Sequence, residues 1–175
     1  MTAIADGTPG AAPAVGERFP DHDLPDHTGR GRTLSEVAGG DPLALVFSRG
    51  WWCPKEQRYM REVAAVQDEF EVAYARIAVV SVDPPEVQSA FRAGLGARFA
   101  FLSDADRRWL PRLGLLEEAD ELHDPYRPTA FTLFPDLTVH GAWAGDWYWG
   151  RPTMEELRMA MRDITRAVRD DWDFD

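Results

Sequence analysis

Two apolar runs punctuate the first half of the chain. Leu43-Ala44-Leu45-Val46-Phe47, within a strand predicted over 42–48, and Ile77-Ala78-Val79-Val80-Ser81-Val82-Asp83, halted by Pro84-Pro85, lack polar alternation. Short runs of that kind predict strands buried on both faces. Between them the period changes. Met60, Val63, Ala64, Val66, Gln67 and Phe70 recur at helical spacing, so one long helix is expected from Pro54 to about Tyr74, with proline suited to its first turn. A second helix is expected from Pro85 to Ala93, stopped by Gly94 and Gly96. A short strand, Phe99-Ala100-Phe101-Leu102, and a short helix from Asp104 or Ala105 to Leu113 follow, with Gly114 past the helix end.

The second half begins with an acidic loop, Leu115 to Tyr126. Two β-rich runs, Thr129 to Phe134 and Thr138 to Trp143, flank Pro135-Asp136-Leu137 and predict a hairpin. A last helix is expected from Thr153 to Arg169: Thr153 is the N-cap, Glu155 and Glu156 sit in the first turn, and Leu157, Met161, Ile164 and Val168 make one apolar face. Ahead of all this, Gly16 to Asp26 and Thr28 to Leu34 read as edge strands or a hairpin, then Ser35 to Ala38 as a helical turn closed by Gly39-Gly40. Strand–helix alternation implies parallel strands with crossover helices, and the hairpin adds antiparallel strands. The expected fold class is α/β: a mixed sheet flanked by helices on both faces. Residues 1–14 are expected to be disordered, 15–169 to form one domain and 170–175 to be an acidic tail.

Composition narrows the function. A net charge of −11 argues against nucleic acid and anionic membrane. No apolar stretch has the length to span a bilayer. The N-terminal residues lack a basic region and an apolar core, so no secretory signal is expected and the cytoplasm is the default location. His22, His27, His123 and His140 have no metal-ligand spacing among themselves or with Cys53, so no metal site is expected. Gly94-Leu95-Gly96 lacks the third glycine of a dinucleotide fingerprint. Asp83 reads as a cap for the helix after it.

The candidate chemistry rests on Cys53, the one cysteine in 175 residues. It sits in Phe47-Ser48-Arg49-Gly50-Trp51-Trp52-Cys53-Pro54-Lys55-Glu56, between a buried strand and the first turn of a helix. A helix N-terminus favours negative charge, a placement that lowers a cysteine pKa and makes the sulfur a nucleophile. Arg49, Trp52 and Lys55, the one lysine of the chain, are the expected supports of the thiolate. Glu56 is expected to point outward and pair with Arg49, Lys55 or the helix N-terminus. The competing reading is a small buried apolar residue. Tryptophans gather in two places, Trp51-Trp52 and Trp143 with Trp147 and Trp149. Three roles stay open for them: a satellite hydrophobic cluster, an aromatic wall for a bulky organic substrate, or a homodimer face.

The element order and these motifs resemble the thioredoxin fold, and more narrowly the peroxiredoxin-like branch of the alkyl hydroperoxide reductase/thiol-specific antioxidant superfamily. Phe19-Pro20-Asp21, the Arg49-to-Pro54 string, Ser81-Val82-Asp83, Phe101-Leu102-Ser103-Asp104 and Arg127-Pro128-Thr129-Ala130-Phe131 carry the resemblance, over roughly residues 15–168. It implies that Cys53 is a peroxidatic cysteine forming a sulfenic acid. Arg127 would polarise the peroxide, with a salt bridge to Glu121 or Asp124 as its alternative role. Pro128 would be the cis-proline facing the thiol. The chain departs from the family pattern at Val46, where a proline is usual, and at Gly50, where a threonine or serine supplies a hydroxyl. Glu56 stands where many relatives carry a second cysteine. The implied activity is a single-cysteine reductase of hydroperoxides, with no cofactor and an external thiol as reductant. The alternatives are a pathway enzyme using the Cys53 thiolate on an organic or sulfur-containing substrate, or a redox-sensing module without turnover.

Overall fold

Twelve elements follow one another along the chain in the computed structural model, which describes residues 10–145 and 150–171. They are β1 (Leu24–Pro25), β2 (Gly31–Arg32), α1 (Leu34–Ala38), β3 (Leu43–Phe47), α2 (Pro54–Ala65), α3 (Gln67–Val72), β4 (Arg76–Ser81), α4 (Pro85–Leu95), β5 (Ala100–Ser103), β6 (Thr129–Leu133), β7 (Val139–Ala144) and α5 (Met154–Val168). Strands β1 and β2 form the small antiparallel hairpin expected. The main sheet has the order β5-β4-β3-β6-β7. Its β3–β4 and β4–β5 pairs are parallel, and β3–β6 and β6–β7 antiparallel, as the alternation and the hairpin imply.

The unbroken apolar run of β3 is explained by its place at the centre. Leu43, Leu45 and Phe47 join a core with Phe19, Leu34, Trp109, Tyr126 and Phe131 on one face. Ala44 and Val46 join Tyr59, Met60 and Val63 of α2 and Leu157, Met161 and Ile164 of α5 on the other. Burying such large apolar side chains contributes about 1.5–3 kcal/mol each. Helix α5 opens on a capping box in which Thr153 and Glu156 satisfy each other's backbone N–H groups. Its predicted apolar face stops short of Val168, which is exposed.

Three local expectations are corrected. The long helix breaks at Val66 (φ −102°, ψ 3°) into α2 and α3. Gln67 causes the turn to be worthwhile: its amide donates to the Gly96 carbonyl at 3.1 Å and its oxygen accepts the Arg98 N–H at 2.8 Å. Residues 104–113 form turns rather than a helix. The Asp104 carboxylate takes the N–H groups of Arg108, Trp109 and Leu110 and the Tyr126 hydroxyl. Residues 10–14, expected to be disordered, lie against the domain, with the Gly10 N–H on the Arg112 carbonyl and Ala12 on the core.

Candidate functional site

Strand β3 delivers the chain into the loop Ser48–Trp52, and Cys53 is the N-cap of α2 with Pro54 in the first turn. The Cys53 N–H donates to the Gly50 carbonyl at 3.2 Å, and its own carbonyl accepts from Gln57 at 3.0 Å. The sulfur makes no capping hydrogen bond, so it is left for chemistry. Cys53 is only 4% exposed. It is not sealed, because it lines a cavity of about 530 Å³ together with Arg49, Trp52, Pro54, Lys55, Glu117, Ala119 and Asp120. The aromatic ring, both cations and the thiol that the sequence singled out are therefore brought together.

Asp83 shapes the loop. The helix it was expected to cap has Pro84 as its N-cap, with no side-chain bond. Instead the buried Asp83 carboxylate accepts the Trp51 N–H at 2.9 Å and the Ser81 hydroxyl at 3.0 Å. Burial raises its pKa, and those two hydrogen bonds and the charge of His123 oppose the rise. The same packing explains Gly50. At φ +130°, a Cβ there would lie 2.8 Å from Trp52 Nε1 and 3.0 Å from Asp83 Oδ2. Both the left-handed backbone and the close approach call for glycine. A threonine or serine at this position has no room for its hydroxyl.

Arg49 is 5% exposed, and its guanidinium lies over the Trp52 ring, 5.1 Å from the centroid. Asp120 accepts from its Nη2 at 2.5 Å. Among the described residues, Arg49 Nε is buried with no hydrogen-bond partner. A charged donor without an acceptor in a buried site is costly, and an oxygen ligand would satisfy it. His123 stacks on Trp52 with ring centroids 3.7 Å apart and an 11° tilt, and its Nδ1 lies 3.0 Å from Asp120 Oδ1. Burial alone would raise the Asp120 carboxyl, but the hydrogen bonds from His123 and Arg49 outweigh it and hold the pKa below the usual range.

The other site expectations fare differently. Arg127 is half-buried; it pairs with neither Glu121 nor Asp124 and is not on the cavity wall. Its N–H donates to the Leu115 carbonyl at 2.6 Å, and its carbonyl accepts from the Thr129 hydroxyl at 3.1 Å. Register pairs Phe47 with Thr129, so Arg127 and Pro128 lie at the end of the sheet where the cysteine loop begins. The cis-proline is corrected: no cis peptide occurs among the described residues. Trans is the lower-energy isomer, and here backbone bonds from Arg127 N–H to Leu115 and from Gly145 N–H to the Pro128 carbonyl hold both sides of the bond.

Trp51 is 48% exposed and contributes backbone bonds, not a cavity wall. Trp143 on β7 packs against the α2–α5 core cluster, which for this residue favours the satellite-cluster reading over the substrate wall. Trp147 and Trp149 lie outside the described residues. Glu56 is corrected outright. It is 0% exposed and pairs with Arg151, whose Nε donates to Oε1 at 3.0 Å, while Oε2 has no partner among the described residues. Tyr59, one turn on, donates to the Pro152 carbonyl at 2.9 Å, and burial, with the Glu56 charge adding, pushes its phenol pKa up. Among the described residues no group of His, Cys, Asp or Glu side chains is placed to hold a metal ion, and no helix is long and apolar enough to cross a membrane.

Sequence reading missed Asp120, His123 and Arg151. Asp120 and His123 sit three apart in the acidic loop, a spacing that brings their side chains together locally. Nothing local pointed from them to Arg49 or Trp52.

Comparison with known proteins shows the family and the fold. The model of the AhpC/TSA family matches residues 15–141. Two proteins of Mycobacterium tuberculosis, strains CDC 1551 and H37Rv, both named peroxiredoxins, are each 28% identical over 128 residues, or 71% of this chain and 81% of theirs. Peroxidoxin BcpB from Mycobacterium tuberculosis superimposes with a TM-score of 0.74 at 23% identity, covering 89% of this chain and 98% of that one. A cysteine-to-serine variant of peroxiredoxin 6 from Arenicola marina gives 0.79 at 16%, covering 93% and 81%. Reduced Prx3 from Vibrio vulnificus, in complex with hydrogen peroxide, gives 0.76 at 19%, covering 85% and 98%.

Proposed function

Because the chain belongs to the AhpC/TSA family of peroxidase-like thiol oxidoreductases, we propose that it reduces hydroperoxides through Cys53 alone. The observation that carries this reading is that the Arg49 side chain and the Cys53 thiol line one cavity, with a donor of that guanidinium unpartnered among the described residues. The thiolate attacks the terminal oxygen of the hydroperoxide along the O–O bond. An S–O bond forms, the O–O bond breaks, and the departing alkoxide takes up the proton that the thiol gave up, leaving an alcohol and a Cys53 sulfenic acid. The Arg49 guanidinium donates to the peroxide as negative charge passes from sulfur to oxygen, the kind of fixed donor that stabilises charge in a transition state. Asp120 accepts from Nη2 of that guanidinium, His123 pairs with Asp120, and the Trp52 ring lies against both Arg49 and His123.

With Gly50 supplying no hydroxyl, Arg49 takes over the polarising role. The peroxiredoxin names of the relatives and the peroxide-bound Vibrio protein support a peroxide substrate. A cavity of about 530 Å³ lies in the range of small-molecule sites, which favours an organic hydroperoxide over hydrogen peroxide. The sequence holds no second cysteine, so an outside thiol completes the cycle. Such a cycle suits a reducing compartment such as the cytoplasm. Treating the protein with one equivalent of cumene hydroperoxide and reading the intact mass tests the proposal. The wild type gains one oxygen atom, which maps to the peptide holding Cys53, and Cys53→Ser gains none. An unchanged wild-type mass would overturn the reading.

A further inference from the structure

We propose that the thiol recycling Cys53 is a low-molecular-weight thiol that enters the cavity, and that protein thiols are kept out by a clamp on the first turn of α2. The inference rests on the hydroperoxide reading above and adds the class of the second substrate. Access is the first argument. Thiol exchange needs the incoming sulfur in line with the bond it breaks. Cys53 is almost wholly covered, and its exposed approach is the cavity shared with Arg49 and Asp120. A small molecule fits such a space, whereas a cysteine on a folded protein brings its own backbone with it.

The clamp is the second argument. A protein thiol could reach Cys53 if the helix turn carrying it unwound. The start of α2 is fastened to the chain ahead of α5 at two points: the buried Glu56–Arg151 ion pair on that turn and the Tyr59–Pro152 hydrogen bond on the next. Gln57 Nε2 ties the same turn back to the Trp51 carbonyl at 2.7 Å. Glu56 follows Cys53 within one helical turn, and its carboxylate has no described partner besides Arg151. Separating the pair leaves a charge uncompensated in the interior, which is strongly unfavourable.

The chemistry balances in two steps. The small thiol attacks the Cys53 sulfenic sulfur; the S–S bond forms, the S–O bond breaks, and hydroxide leaves with the thiol's proton as water. A second thiol attacks the outer sulfur of that mixed disulfide, releasing the small-molecule disulfide and returning Cys53 as a thiol. Two thiols lose two electrons, and the sulfenic acid gains them.

The full chain, oxidised with cumene hydroperoxide, is mixed with either glutathione or reduced thioredoxin at equal thiol concentration, and the intact mass is followed in time. Glutathione should give a mixed disulfide and then the reduced mass, at least about tenfold faster than thioredoxin restores it. Arg151→Ala and the milder Glu56→Gln should raise the thioredoxin rate by roughly tenfold and leave the glutathione rate within about twofold. Equal or faster recycling of the wild type by thioredoxin, or no gain with either variant when both are folded, would overturn the inference. Failure of the first oxidation is a separate readout, which defeats the hydroperoxide reading and this one with it.

Discussion

Cys53 lies between two arginine–carboxylate pairs of opposite character. On the cavity side, Asp120 engages Nη2 of the Arg49 guanidinium, and Nε has no partner among the described residues. On the helix side, Arg151 engages one oxygen of Glu56, and it is the carboxylate that keeps an atom unpartnered among the described residues. A cation with unused donors beside a thiol attracts an oxygen ligand. A carboxylate with unused acceptors, sealed at the base of a helix, attracts nothing from the cavity and serves to hold chain to chain. Burial alone does not tell the two apart; the side on which the unpaired atom falls does.

The helix-side pair should therefore matter most to folding. Arg151→Ala should cost about 3–5 kcal/mol, the usual consequence of leaving one buried charge alone. Urea unfolding followed by circular dichroism checks it, and a cost near zero would put Arg151 in the same class as surface arginines. Next in size is the loop between the pairs. Gly50→Thr, which restores the hydroxyl usual in the family, should cost about 1–3 kcal/mol through its positive φ, and its collision with Trp52 and Asp83 should slow Cys53 oxidation. A faster reaction in that variant would show that the loop can yield and that the hydroxyl is simply missing.

Smallest is the pH response of the cavity-side pair. Asp120 has its folded pKa below the ordinary value. It thus contributes stability that is present above the unfolded carboxylate pKa and lost as pH falls through the folded one. Urea midpoints of the wild type should fall more steeply on acidification than those of Asp120→Asn, below about pH 4. Parallel curves would mean that the Arg49 and His123 contacts contribute no net stabilisation.

How much of this was readable beforehand follows from the reach of each interaction. The all-buried β3, the capping box at Thr153 and the placement of Cys53 at a strand-to-helix turn depend on neighbours in the chain, and their residues announced them. Helix α2 was legible too, but its end was not, because Gln67 turns toward Gly96 and Arg98 across a gap in sequence. The partners of the site are more distant still. Arg49 meets Asp120 across 71 positions, and Glu56 meets Arg151 across 95. Periodicity and capping rules see a few residues at a time, so a charge partner that far away leaves no local trace. Gly50 reads from sequence only as a departure from the family pattern for the same reason: the Asp83 carboxylate that leaves no room for a side chain belongs to another strand's end.

In the proposed reaction Arg49, rather than Arg127, presents its guanidinium to the peroxide at Cys53. Stopped-flow tryptophan fluorescence gives the second-order rate constant for cumene hydroperoxide, with Trp52 on the cavity wall as reporter. Arg49→Gln should lower that constant by about 100-fold, the usual loss of a transition-state donor, and Arg127→Gln should leave it within about threefold. A large fall in Arg127→Gln with Arg49→Gln near wild type would contradict the account.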